Sequence, residues 1–166
     1  MDLVARQARL AKGTLFLYFP TREALFLELL ERLTEDWLVA LHDAVARDEK
    51  LWSSRQLADF MTDAIAARGP LARLLPLAGA LEAGVSAERL GEYRRRILRR
   101  MFAAGSLIEQ RLALSRAADG VLLLRYAAAL AQSLGDHDDL RTALTVLFNG
   151  FHRKSGRTFG ALPAPR

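Results

Sequence analysis

Ala8-Arg9-Leu10-Ala11-Lys12-Gly13-Thr14-Leu15-Phe16-Leu17-Tyr18-Phe19-Pro20-Thr21-Arg22-Glu23-Ala24-Leu25-Phe26 reads as a tight break around residues 9–11, a short helix, and the start of a longer one. Pro20 lacks a backbone donor and biases Phe19 toward extended backbone, so a helix over residues 12–19 stops there. At about 100° per residue, Leu15 and Phe19 share an inward face, Gly13 and Leu17 point nearly the opposite way, and Thr14 and Phe16 lie on the flanks. Lys12 and Arg22 bracket the helix with positive charge. A helix that reads a DNA groove needs a small residue for close approach, a hydroxyl for a phosphate or base edge, and cations at the phosphate borders. An ordinary surface helix with two scattered bases is the competing reading.

Outward from this stretch the pattern stays helical. A short helical piece covers residues 2–8. On the other side Thr21 caps a long helix with Glu23 in its first turn. Leu25, Leu29, Leu33, Trp37, Leu41 and Val45 form an i+4 ladder along it, predicting about seven turns with a buried stripe. Ser53 with Gln56 is a capping-box pattern opening a helix that Gly69-Pro70 stops. Residues 71–83 supply another, and Ser86 caps a further one that continues past, or kinks near, Gly105 toward Leu114. Residues 119–134 are apolar on nearly every face. Asp136, Asp138 and Asp139 suit the start of a last helix carrying Leu140, Leu144, Leu147, Phe148 and Phe151. These two apolar helices predict a four-helix arrangement built from two copies of the chain. The tail, residues 156–166, is expected to be loose.

Composition agrees with an all-α fold. Among 166 residues there are 28 Ala and 32 Leu but only 16 Val, Ile and Thr together, which favours helices over strands. Cysteine is absent, excluding disulfides, thiolate metal sites and cysteine nucleophiles. The formal charge of +5 tolerates a polyanionic partner without identifying one. Residues 121–134, the most apolar stretch, are interrupted by Arg125 and fall short of a bilayer span. No membrane partner and a cytoplasmic location are expected.

The opening stretch resembles the TetR family of bacterial transcriptional regulators, whose pattern runs approximately A-G-V-S-K-G-T-L-Y-x-Y-F-x-[ST]-K-E-x-L. The match falls at Ala8, Lys12, Gly13, Thr14, Leu15, Tyr18, Phe19, Thr21, Glu23 and Leu25, and Arg22 keeps the charge where Lys is customary. The resemblance implies a ligand-responsive repressor that binds a palindromic DNA operator as a homodimer through its two C-terminal helices. It implies a helix-turn-helix segment at residues 1–30, an effector-binding and dimerisation domain at residues 31–155, and a tail beyond. The DNA-binding set it implies is Lys12, Gly13, Thr14, Phe16, Leu17, Tyr18 and Arg22, with Thr14, Tyr18 and Arg22 on the DNA backbone.

Four departures shape the expectations. The family's first helix has no counterpart before Met1, which implies an N-terminally incomplete DNA-binding domain in which Leu3, Leu15 and Phe19 lose part of their cover. Arg9 stands where the turn usually has Gly, and since a left-handed backbone there costs about 1–2 kcal/mol, a different turn shape is expected. Ala11 replaces the usual Ser cap, and Phe16 lacks the hydroxyl of the common Tyr. A helical dimerisation or small-molecule-binding module that has lost DNA binding is the alternative function.

Arg89, Arg94, Arg95, Arg96, Arg99 and Arg100 form a second basic feature. Leu90, Tyr93, Ile97 and Met101 define the buried side of that helix, so a solvated arginine face is favoured over a nucleic-acid patch. Trp52, Phe60, Met61, Tyr93, Met101 and Phe102 are candidates for an apolar effector pocket, with plain core packing as the other reading. No enzyme and no cofactor is expected. His42, His137 and His152 lack Glu-x-x-His spacing, and the acids around His137 are better explained as a helix start than as a metal site.

Overall fold

The protein, in a computed structural model, is described over residues 1–114, 116–134 and 136–156. Among these residues every regular element is helical: α1 (Asp2–Gln7), α2 (Lys12–Tyr18), α3 (Arg22–Arg47), α4 (Ser54–Ala66), α5 (Gly69–Leu74), a 3-10 turn (Leu75–Leu77), α6 (Ala78–Ala83), α7 (Ala87–Arg111), α8 (Asp119–Ser133) and α9 (His137–Gly156). Of the expected tail, residues 157–166 lie outside the described ones.

The caps form where the sequence puts them. Thr21 Oγ1 accepts from Ala24 N at 3.0 Å, Ser86 Oγ accepts from Arg89 N at 3.3 Å, and Ser53 with Gln56 makes the reciprocal capping box. Each satisfies helix donors that have no intrahelical acceptor. Asp136 Oδ1 accepts from the amides of Asp138 and Asp139 at 2.8 and 3.0 Å. Those two backbone bonds hold its carboxyl below the usual range.

α4 ends at Ala66, short of Gly69-Pro70, which also opens α5, since proline at the first helical positions removes only a donor that would be orphaned anyway. Of the two courses open at Gly105, α7 takes the unbroken one and runs on to Arg111.

One core threads α3 to α9. Leu27, Leu38, Leu41, Leu57, Met61, Leu71, Ile108, Leu123, Leu124 and Phe148 are its most buried large side chains. The α3 stripe is not the strict i+4 ladder, since Leu29 is exposed whereas Leu27, Leu30 and Glu31 are buried. An i+4 step advances about 40° beyond a full turn, so a six-member ladder winds off the inward face.

α7 and α8 meet at two glycines. A Cβ on Gly105 would lie 2.8 Å from Val121 N, and one on Gly120 would collide with the Gly105 carbonyl oxygen. α8 starts from Ala118 in left-handed backbone without a side-chain cap, and Glu109 Oε1 instead accepts from Gly120 N at 2.9 Å. A carboxylate there also suits the positive end of the helix dipole.

Candidate nucleic-acid interface

α1 and α2 form a small unit whose buried centre is Ala5 and Leu15. The break between them is a Schellman turn: Leu10 N donates to Ala5 O at 2.9 Å and Arg9 N to Arg6 O at 3.1 Å. Arg9 occupies the left-handed position at φ 55. The turn thus keeps its shape without glycine, contrary to the expectation, because the two backbone bonds satisfy carbonyls at the end of α1. Ala11 starts α2 with no side-chain cap.

Leu15 is buried, Phe19 half-buried and Leu3 exposed. Phe19 adopts extended backbone, so α2 ends at Tyr18. On the outer side Leu17 is 84% and Tyr18 74% exposed, and a Cβ on Gly13 would meet nothing within 4 Å. Lys12, Gly13, Phe16 and Arg22 are also at the surface, with Thr14 half-buried on the flank. The seven residues therefore occupy one short stretch with an uncovered outer face.

Both bracketing cations already have carboxylates. Lys12 Nζ lies 2.8 Å from Asp2 Oδ1, and Arg22 Nη2 lies 3.2 Å from Glu23 Oε1. The hydrogen bond and charge of Lys12 pull the Asp2 carboxyl down. Glu23 is also held down, first by its own backbone amide and then by Arg22. Sequence reading placed these cations but not their partners, although Asp2 precedes Lys12 by only ten residues.

α3 ties this unit to the body. Thr21 Oγ1 donates to Gly84 O at 3.3 Å, beneath the Glu23 side chain. Farther along, five of the six α7 arginines are exposed, as a solvated face requires, and only Arg89 is half-buried; several also meet acids of α3. Arg89 Nη2 lies 2.9 Å from Glu28 Oε2 and 2.5 Å from Glu31 Oε2; Arg96 Nη1 is 3.3 Å from Glu31 Oε1, and Arg100 Nε is 3.7 Å from Glu35 Oε1. The acidic stripe of α3 faces Arg89, Arg96 and Arg100, of which the last two stay exposed like Arg94, Arg95 and Arg99. Burial lowers the Arg89 pKa, but the hydrogen bond and charge of Glu31, with Glu28 and Glu92, outweigh it, so Arg89 stays protonated. Burial, aided by Glu82 and Glu31, pushes the Tyr93 phenol up to about 12.

The effector candidates are not brought to one place as a set. Met61, Tyr93 and Met101 are core residues; Trp52 and Phe60 stack edge to face at 5.8 Å; and Phe102 is exposed. A cavity of about 90 Å³ lies elsewhere, among Thr62, Ile65 and Ala66 of α4, Leu75, Ala131 and Leu140, with Asp136 and His137 at its edge. Beside it Arg141 joins α9 to Asp59 at 3.2 Å and to Asp63 at 2.7 Å on α4. Among the described residues no group of three His, Asp or Glu could hold a metal ion, and no helix is long and apolar enough to cross a membrane.

Comparison with known proteins gives two family matches. Residues 1–29 match a model described as bacterial regulatory proteins, tetR family, and residues 31–144 match one described as tetracyclin repressor-like, C-terminal domain. A comparison with curated proteins found no match.

Proposed function

The chain belongs to the tetR family of bacterial regulatory proteins, DNA-binding regulators of transcription, and we propose that it works as a ligand-responsive repressor that grips a palindromic operator as a homodimer. The observation that carries this reading is the uncovered outer face of α2, with Gly13, Leu17 and Tyr18 open between Lys12 and Arg22. Thr14, Tyr18 and Arg22 take the DNA backbone, Lys12 assists, Gly13 allows close approach with the Phe16 ring beside it, and Leu17 meets a thymine methyl or sugar. Residues 1–30 are the reading domain and residues 31–155 the sensing and dimerising one.

Tyr126 of α8 and Val146 of α9 are exposed apolar side chains on the two helices assigned to the dimer, and this supports pairing there. Two reading helices then sit about 34–36 Å apart over successive major grooves. The effector in this reading has an apolar body; the cavity of about 90 Å³ beside α4 and α9 is smaller than the roughly 300 Å³ of an ordinary ligand site, so helices must part to admit it. Its binding represses or releases DNA only through unequal affinity for the two states.

The test is fluorescence anisotropy with duplexes from the native upstream region, alongside sedimentation. Thr14→Ala and Arg22→Ala should each weaken operator binding by about tenfold with the dimer intact. Unchanged affinity in both variants refutes the assignment of α2 as the reader.

A further inference from the structure

Glu31 is the odd residue of α3. Its side chain is 2% exposed, on a helix whose other buried positions are apolar, and it sits between two arginines of α7. Arg89 reaches it with one nitrogen that also contacts Glu28, while Arg96 approaches the second carboxylate oxygen from farther along α7. Neither that oxygen nor Arg89 Nη1 has a hydrogen-bond partner, although both are buried. A buried pair of this kind is weak evidence for stability, because apolar side chains of similar volume can do as well or better. What it supplies is direction: a carboxylate held from two points along α7 admits only one rotation and one axial register of α3, whereas leucines tolerate small slides.

The location gives that restriction an effect. Only three residues separate the end of α2 from the start of α3, so the reading helix rides on its N-terminus. Glu31 lies ten residues beyond Thr21, a lever of about 15 Å at 1.5 Å per residue. A tilt of roughly 5° about this point moves the α3 start by about 1 Å. At this end α3 is otherwise held by the exposed Thr21 hydroxyl on Gly84, by the Glu23 side chain on the same glycine and by the buried Leu27 and Leu30, contacts that follow a small tilt more readily than a paired carboxylate does.

We propose that Glu31 is a positioning residue: clasped by Arg89 and Arg96, it fixes the tilt of α3 on α7 and thereby the operator spacing at which the two reading helices engage together. The inference rests on the DNA-reading role of α2 above. Two measurements separate its failure from failure of that role.

The first needs no DNA. Because the chain has no cysteine, Leu17→Cys on α2 and Leu98→Cys on α7 give a unique pair of spin labels, with doubly labelled chain diluted into unlabelled chain. Pulsed electron resonance should show one narrow distance in the parent. In the Glu31→Met/Arg89→Met double variant, which keeps the helix contact apolar, the distribution should broaden or shift. Glu31→Gln should move the same way, and the double variant guards against simple unfolding of the single one. The second compares anisotropy affinities for operators with half-sites one base pair closer or farther. The parent should discriminate spacings by about tenfold and the double variant by less than about threefold, with similar affinity for an isolated half-site.

An unchanged distance distribution in a folded double variant overturns the proposal, as does retained spacing discrimination. A broadened distance in a protein that binds no duplex leaves the clasp standing and defeats the DNA-reading role instead. A merely structural ion pair would lower the melting temperature without altering which spacing is preferred.

Discussion

Arg9 holds a backbone conformation that glycine adopts without steric conflict. Arg9→Gly should therefore stabilise the α1–α2 turn by about 1 kcal/mol, net of the greater freedom glycine has when unfolded. Hydrogen exchange of the α1 and α2 amides reads this directly, and faster exchange in the variant would contradict the account. Tyr93 offers a second residue-level test. Its phenol titrates at about 12 in the fold against 10.0 ordinarily, so its stabilising effect is complete below pH 10 and is lost as the pH climbs toward 12. Over that window the protein should lose about 2–3 kcal/mol, and Tyr93→Phe should flatten the loss in urea titrations at successive pH values. Arg9 was legible as a departure from a pattern, but its conformation was not, because two backbone hydrogen bonds decided it.

At the scale of elements, the same substitution should have opposite signs in two helices. Gly120→Ala would drive a methyl group into the Gly105 carbonyl oxygen and force α7 and α8 apart, with a destabilisation of about 1–3 kcal/mol. Gly79→Ala, in α6 with open space around it, should stabilise by about 0.5–1 kcal/mol. Urea midpoints measured on both variants check the pair, and equal shifts would show that the glycine crossing is looser than described. Helix starts were readable because Thr21, Ser53 and Ser86 act locally. The solvent side of α7 was readable from its apolar residues, but the acidic partners of Arg89, Arg96 and Arg100 were not. At about 100° per residue, Arg89, Arg96 and Arg100 lie within about 60° of Tyr93, and Glu28, Glu31 and Glu35 share one side of α3. The complementary charges were therefore present in the sequence, but pairing them required knowing that α3 lies against α7. The Gly105–Gly120 crossing left no such trace, since a helical glycine looks the same whether its neighbour is solvent or backbone.

For the whole molecule, the dimer reading makes its own demand. Val146→Glu should place two like charges near each other across a twofold contact, shifting sedimentation toward monomer and weakening operator binding by at least about tenfold. A variant that still sediments as a dimer would move the contact away from α9. The overall helical layout was legible from composition and periodicity, while the small cavity beside α4 and α9 was not, because it arises where residues from five separate elements fail to fill the space between them.

The carboxylates of Asp2 and Glu23 already hold Lys12 and Arg22, the two cations proposed to meet DNA. Each cation that meets a DNA backbone must first release an anion that is covalently attached and cannot diffuse away. Fewer free ions are then liberated on association than the cation count suggests, so affinity should fall less steeply with added salt. On the proposed role of α2, such a surface would hold random duplex loosely during search and leave discrimination to shape and close fit.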